Sequence, residues 1–119
     1  METATILEKK LAVRRAIDEL VDFMTQANKV HTEARFPNLK PDTYWVDGGQ
    51  KYVRIAYGAV HGEGGAVHCF VDAETGDVYK AAGWKKPALN GARFNILDPE
   101  SLADLKSKWD PYTSYLYKR

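Results

Sequence analysis

The first third of the chain carries an apolar stripe with helical spacing. Over residues 17–27, apolar side chains recur at intervals of three or four positions, and charged residues fall mostly between them. Thr5 and Glu8 have the spacing of a capping box, and Pro37 cannot continue a helix. The pattern therefore predicts one long helix that begins at Thr5 and ends within residues 30–33.

The last turns of this helix are polar, because Asn28 and His31 fall on the apolar stripe. At about 1.5 Å per residue the helix from Ile6 onward would be roughly 40 Å long, which is more than a small sheet covers. Two interpretations are open: the helix bends or frays near Asn28, or its uncovered apolar part pairs with another copy of the chain. We expect the second, a homo-oligomer that forms through the N-terminal helix.

The middle of the chain has the pattern of an antiparallel meander. Four runs with strand-like composition are separated by turn residues, and they cover residues 44–46, 50–57, 66–71 and 78–82. In the second run, Val53, Ile55 and Tyr57 share one face, whereas Arg54 points to the other. Gly76 suits the left-handed position of the turn before the last run.

A short helix is predicted near the C-terminus. Residues 98–100 are Asp-Pro-Glu, which supply a cap, a proline at the first helical position and an acid in the first turn. Three apolar residues would dock this helix: Leu102, Leu105 and Trp109. The Tyr-rich tail packs on the domain or on a partner, and we favour the domain. The fold class is therefore α+β: a long N-terminal helix, a four-stranded antiparallel meander and a short C-terminal helix.

Composition limits the class of protein. A chain of 119 residues predicts a single domain over residues 1–119, and 45% apolar residues argue against disorder. The formal charge is only +1, so electrostatic attraction must come from local patches. No run approaches the roughly 18 apolar residues of a membrane span, and the N-terminus lacks the pattern of a signal peptide. With Cys69 as the single cysteine, a reducing cytoplasm is the simplest location.

One segment resembles a known group of proteins. Residues 70–88 run from a strand through Thr-Gly-Asp into Lys-Ala-Ala-Gly-Trp-Lys-Lys-Pro-Ala. This segment is similar to one in small, mostly uncharacterised proteins encoded by tailed bacteriophages. The similarity extends over about residues 51–96. The resemblance implies a phage-type protein in the cytoplasm of a bacterial host. It supplies no activity, so no catalytic role is carried over.

The strongest candidate for a binding surface lies between Lys80 and Asn95. This stretch holds four cations and no acid, so its local charge is +4. Trp84 and Phe94 lie among the cations, and Arg54 could join them across the sheet. Cations that contact phosphates and aromatic rings that stack on bases are the combination used for single-stranded nucleic acid. The predicted nucleic-acid-binding residues are Arg54, Lys80, Trp84, Lys85, Lys86 and Arg93.

Other interpretations of the same residues are open. Trp84 could close the core while the lysines only solvate a loop. The leading function is a non-enzymatic phage accessory protein that binds nucleic acid. The alternative is a protein-binding inhibitor of a host or anti-phage defence enzyme, with the helix, the Gly-rich loop or the aromatic tail as its contact. A small-molecule binder would have a pocket lined by Trp45, Tyr57 or Trp84.

Metal and cysteine chemistry have little support in the sequence. His68 and Cys69 are adjacent in a predicted strand, so they are expected to face opposite sides of the sheet. No paired metal-ligand spacing is present, and a mid-strand cysteine behaves as a small hydrophobe. We therefore predict two surface histidines, His61 and His68, a buried Cys69, and no metal, cofactor or catalytic site.

Overall fold

The structure, a computed structural model, describes residues 2–117, with side chains described from Ile6 onward. It contains one antiparallel sheet of five strands in the order β1-β2-β3-β4-β5. The elements in chain order are α1 (Glu2–Arg35), β1 (Thr43–Val46), β2 (Tyr52–Gly58), β3 (Ala66–Asp72), β4 (Asp77–Lys80), β5 (Phe94–Asn95) and α2 (Pro99–Lys108), followed by a 3-10 helix (Ser114–Leu116). The predicted α+β class is confirmed, with a short fifth strand added.

Helix α1 is longer at both ends than the sequence pattern predicts. It has 34 residues, so it is about 51 Å long. The predicted start at a Thr5 cap is wrong, because strong helix formers dominate residues 2–11 and the helix already runs through Thr5. The helix ends at Arg35, two residues before Pro37. The stripe that it buries in the core consists of Val13, Ile17, Leu20 and Met24.

The polar end of the stripe is docked rather than frayed. Asn28 is 5% exposed, and its Nδ2 donates a hydrogen bond to the backbone oxygen of Asp42 at 3.2 Å. The helix continues for seven residues beyond Asn28 because the segment before β1 satisfies this buried amide. At the other end, Ile6, Leu7 and Leu11 are each more than half exposed. Pairing with a second copy through this end stays a prediction.

The helices cover one face of the sheet. Val53 and Ile55 are fully buried on this face and Tyr57 packs beside them, as the period-two alternation predicts. Strand β5 was not predicted, because two residues are too few to show a period. It pairs with β4 through Phe94 and Val78, both of which belong to the core.

Strands β2 and β3 pair through a β-bulge. Ile55 pairs with Cys69, but the next residue, Ala56, pairs with Val67, so His68 is the extra residue. His68 and Cys69 both reach the core and are 1% and 0% exposed. The predictions that they face opposite sides and that His68 lies at the surface are therefore wrong, since strict alternation fails at a bulge.

The C-terminal predictions are confirmed. The Asp98 carboxylate accepts a hydrogen bond from the Glu100 backbone N–H at 3.1 Å and so caps α2. Leu105 of α2 and Leu116 of the 3-10 helix are completely buried, so the tail packs on the domain.

The turn between β3 and β4 is also as predicted, because Gly76 has a positive φ of 81°. Among the helices of residues 2–117, none has the length and apolar composition needed to cross a membrane.

Candidate nucleic-acid interface

The face of the sheet opposite the core, here called the outer face, carries aromatic and basic side chains. Arg54 of β2 pairs with Phe70 of β3, and Phe70 pairs with Tyr79 of β4. Residues paired directly across antiparallel strands share a face, so these three side chains lie in one row. Tyr52 is two residues before Arg54 and therefore lies on the same face. The helices pack on the other side, against Val53 and its neighbours in the core.

Arg54 is the centre of this face. Its guanidinium carbon lies 4.6 Å from the centroid of the Trp84 ring and 5.7 Å from that of Phe70. Its Nε donates to the backbone oxygen of Trp84, and its Nη1 donates to that of Asp47, both at 2.7 Å. The planar guanidinium therefore donates hydrogen bonds from its N–H groups while its positive charge lies close to two aromatic rings. Lysine cannot reproduce this combination.

A small hairpin brings Trp84 to Arg54. Ala81 pairs with Pro87, and the backbone N–H groups of residues 82 and 83 donate to the oxygen of Lys86 at 2.9 and 3.2 Å. The tip of the hairpin is thereby held next to β2. Trp84 is 40% exposed there, so the interpretation that it closes the core is wrong.

Four residues form what we call the outer cluster: Arg54, Trp84, Lys85 and Lys86. Lys85 and Lys86 are the next two residues of the hairpin, and both are exposed. Within residues 6–117, the ion pairs are Lys10–Glu74 and Lys108–Asp104, so no carboxylate neutralises a cation of the outer cluster. The cluster thus combines an accessible ring with uncompensated positive charge.

Lys80 and Arg93 are not brought to the outer cluster. Lys80 pairs with Cys69, so it lies on the core side of the sheet, where its Nζ is 4.6 Å from the Tyr117 ring centroid. Arg93 Nε donates to the backbone oxygen of Leu116 at 2.7 Å. Its Nη1 donates to Asn90 Oδ1 and to the backbone oxygen of Gly91. Both cations therefore hold the C-terminal segment. The spacing of residues in the sequence could not predict these contacts.

Phe94 and Asn95, at the end of the basic stretch, also have structural roles. Phe94 is 9% exposed and packs in the core, 5.8 Å from the Tyr115 ring. Asn95 donates from Nδ2 to the Thr75 backbone oxygen at 2.9 Å, and its Oδ1 accepts from the Leu97 N–H at 2.8 Å. These side chains fix the turns around β5 and leave the outer cluster to other residues.

Sequence reasoning missed two members of the outer face, Phe70 and Tyr79. Phe70 lies beneath Arg54 and is 2% exposed, and Tyr79 forms the end of their row. Tyr52 alternates with Val53 and so belongs to the face of Arg54, but its sequence neighbourhood gives no sign of a binding role. The alternation of residues in each strand could have placed these side chains on the outer face, but only once the register between the strands is known.

His68 is the centre of a buried polar and aromatic group. Its Nε2 is hydrogen-bonded to the Tyr115 hydroxyl at 2.6 Å, and its ring stacks 5.8 Å from Trp109. Burial lowers the pKa of His68 to about 4, although the Asp110 carboxylate opposes this shift. Its Nδ1 has no hydrogen-bond partner among the described residues. The group holds the tail on the sheet.

The thiol of Cys69 is in an inert environment. Its side chain is fully buried, and burial raises the pKa of the thiol to about 12. A reactive cysteine requires an accessible thiolate, so this position does not suit a nucleophile. In the part of the chain that the structure describes, no group of three or more His, Cys, Asp or Glu side chains is arranged to hold a metal ion.

The aromatic residues proposed to line a small-molecule pocket are dispersed. Tyr57 lines an open groove of about 350 Å³ beside Asn28, whereas Trp45 lines another of about 430 Å³ beside His61. Trp84 lies on the outer face. These three side chains therefore do not form the walls of one cavity.

Comparison with known proteins gives a family but no activity. No curated protein and no solved structure matches the chain significantly. A family model matches residues 2–118, which is nearly the whole chain. The match includes every strand and helix described above and therefore the outer cluster as well. The chain belongs to the family of unknown function DUF7717.

Proposed function

We propose that this protein is a non-enzymatic accessory protein that binds nucleic acid through the outer cluster. The observation that supports the proposal is the position of Trp84, which is 40% exposed on top of a guanidinium that no carboxylate neutralises within residues 6–117. Lys85 and Lys86, which follow Trp84 in the hairpin, are also exposed.

The chemistry of the cluster suits nucleic acid better than other anions. A base that stacks on an aromatic side chain contributes about 1–3 kcal/mol, and each phosphate contact adds a salt-dependent contribution. Arg54 lies against the indole of Trp84, so a positive charge is held next to the stacking surface. Lys85 and Lys86 are on the same hairpin, where flexible ammonium groups can reach the phosphates next to a stacked base.

The direct test is binding of fluorescently labelled oligonucleotides, measured by anisotropy at several salt concentrations. We expect DNA or RNA single strands of about 10 nucleotides to bind and to weaken as salt rises. Trp84→Ala should weaken binding about tenfold or more, since it removes the stacking surface. Tyr112→Ala is the matched control, because Tyr112 is 65% exposed on the side of the tail.

Absence of measurable binding to DNA and RNA even at low salt would reject the proposal. The rival function, inhibition of a host or anti-phage defence enzyme, predicts a different result in a pull-down from bacterial lysate. A protein complex that survives nuclease treatment and moderate salt would favour the rival. A complex that nuclease abolishes supports nucleic-acid binding. The cytoplasmic and phage context implied by the sequence resemblance stays a prediction.

Self-association through α1 is part of the proposal. Its support is the exposure of Ile6, Leu7 and Leu11, which are 53%, 56% and 57% exposed at the helix end beyond the core. Multi-angle light scattering should give a mass above that of one chain, and Leu7→Glu with Leu11→Glu should return it to the monomer. A wild-type protein that is monomeric at high concentration would exclude this association.

A further inference from the structure

We propose that the outer face holds a second base-stacking site, formed by Tyr52 and Tyr79 with Lys51, so that the ligand is a single strand that spans both sites. The inference rests on the proposed function and names the form of nucleic acid that the outer face takes. It uses three residues that the sequence did not assign to binding.

The second site, like the first, has a cation beside an aromatic ring. The rings of Tyr52 and Tyr79 meet edge to face with centroids 5.9 Å apart, and both side chains are partly exposed. Lys51 Nζ lies 5.5 Å from the Tyr52 ring centroid. As with Arg54 and Trp84, an aromatic surface therefore has a cation beside it.

The separation of the two sites fits successive nucleotides. Tyr52 and Arg54 are two residues apart on one face of β2, which corresponds to about 7 Å along the strand. Nucleotides repeat at about 3.4 Å in a duplex strand and are further apart in an extended one, so this distance accommodates about one or two of them. Because Trp84 lies against Arg54, a strand that stacks one base on Trp84 can place a nearby base at Tyr52.

Two acids lie at the second site and limit where phosphates can be held. Asp72 and Asp77 lie beside Tyr79, whose pKa is raised by burial and by both carboxylates. The Asp72 carboxylate accepts from the Glu74 and Thr75 N–H groups, and that of Asp77 accepts from Asn95 Nδ2. Both carboxylates repel phosphate, so we expect the backbone of the ligand to be held by Lys51 and the hairpin lysines rather than next to the acids.

This arrangement selects single strands. Bases can lie flat on aromatic side chains only when their faces are free, which is not the case in a duplex. Two neighbouring sites on the outer face favour an extended segment over one flipped base. Both sites offer aromatic faces to a base, so we expect stacking rather than base identity to determine binding.

The experiment combines variants with NMR of the wild-type chain. Tyr52→Leu removes an aromatic face while keeping an apolar side chain, and Tyr52→Phe is the matched control that keeps the ring. We expect Tyr52→Leu to weaken a single strand of about 10 nucleotides about tenfold, and Tyr52→Phe to bind as wild type. The ring signals of Tyr52 and Tyr79 should shift on titration with oligo-dT, while those of Tyr112 stay unchanged.

The outcomes separate this inference from the proposed function. If Trp84→Ala weakens binding but Tyr52→Leu does not, and the Tyr52 and Tyr79 signals do not move, the second site is wrong and the proposed function stands. If a duplex of equal length binds as tightly as the single strand, the selection of single strands is wrong. If no oligonucleotide binds at all, the proposed function itself fails. Thermal melts of each variant confirm that it is folded.

Discussion

Polar side chains have different roles on the two faces of the sheet. On the core face, His68 and Arg93 hold the tail: the imidazole is bonded to the Tyr115 hydroxyl, and the guanidinium to the Leu116 backbone oxygen. On the outer face, Arg54 lies against Trp84 and leaves its charge without a carboxylate within residues 6–117. The core face thus uses its polar groups for stability, whereas the outer face keeps positive charge at the surface.

The comparison shows that equal charge in sequence does not mean equal availability. Lys80 and Lys85 lie five positions apart in one basic stretch. The Lys80 ammonium is next to the Tyr117 ring on the core side, whereas Lys85 is exposed in the hairpin that carries Trp84. A residue contributes to binding according to the face that its strand or turn presents, and the following predictions test that difference from the largest effect to the smallest.

The largest effect is expected when the Leu116 side chain, which anchors the tail in the core, is shortened. Leu116 is completely buried, so Leu116→Ala should lower the free energy of unfolding by roughly 2–5 kcal/mol through lost burial and a cavity. Urea denaturation followed by circular dichroism measures it. The affinity of the folded variant for oligonucleotides should not change, since the outer cluster is on the other face. A loss of affinity equal to that of Trp84→Ala would contradict the separation of the faces.

Acidification should weaken the core face through His68. Its pKa is lowered from 6.5 to about 4 in the folded chain, so between these values the unfolded chain binds more protons. The free energy of unfolding therefore falls as pH drops from 6.5, by about 3 kcal/mol at pH 4. Denaturation at several pH values measures this slope, which His68→Phe should flatten and His61→Gln should not. An NMR titration that places the pKa of His68 near 6.5 would contradict the prediction.

Replacing the guanidinium at the centre of the outer face should loosen the hairpin. Arg54→Lys loses the two hydrogen bonds to the Trp84 and Asp47 backbone oxygens and the flat contact with the indole. We expect a loss of about 1–2 kcal/mol of stability and stronger quenching of tryptophan fluorescence by acrylamide. The increase in quenching should vanish in a Trp84→Phe background. An equal increase in that background would assign the effect to another tryptophan.

The smallest effects distinguish the lysines. Together, Lys85→Gln and Lys86→Gln should reduce the slope of log affinity against log salt by about 1.4 for single strands, or about 0.7 for each phosphate contact. Lys80→Gln should leave the slope unchanged, because Lys80 lies beside Tyr117 on the core side. Anisotropy titrations over a range of salt concentrations give both slopes. A reduction by Lys80→Gln as large as that by Lys85→Gln would show that the predicted basic stretch acts as one surface.

Much of the fold could be predicted from local patterns. The stripe of α1, the four main strands, the Gly76 turn and the Asp98 cap all follow from interactions within a few residues. The β5 strand could not be predicted, since two residues carry no period. The bulge at His68 was also hidden, because an extra residue in one strand is defined only by the partner strand.

The candidate site could be predicted only in part from the sequence. The hairpin cations and Trp84 are close in sequence, so composition identified them. Their division between two faces depends on the register of β3 and β4 and on the tail, which is more than 20 residues from Arg93. The same register adds Tyr52 and Tyr79 to the outer face.

The sequence by itself determined the α+β class, the positions of the helices and main strands, and the positive charge of the stretch from Lys80 to Arg93. Periodicity, capping and turn preferences act between near neighbours, and they can be seen in one chain without coordinates. Only the tertiary structure decided that Arg54 and Trp84 share a surface while Lys80 and Arg93 hold the tail. Strand pairing and burial join residues far apart in the chain, and those contacts set which charges are exposed to a ligand.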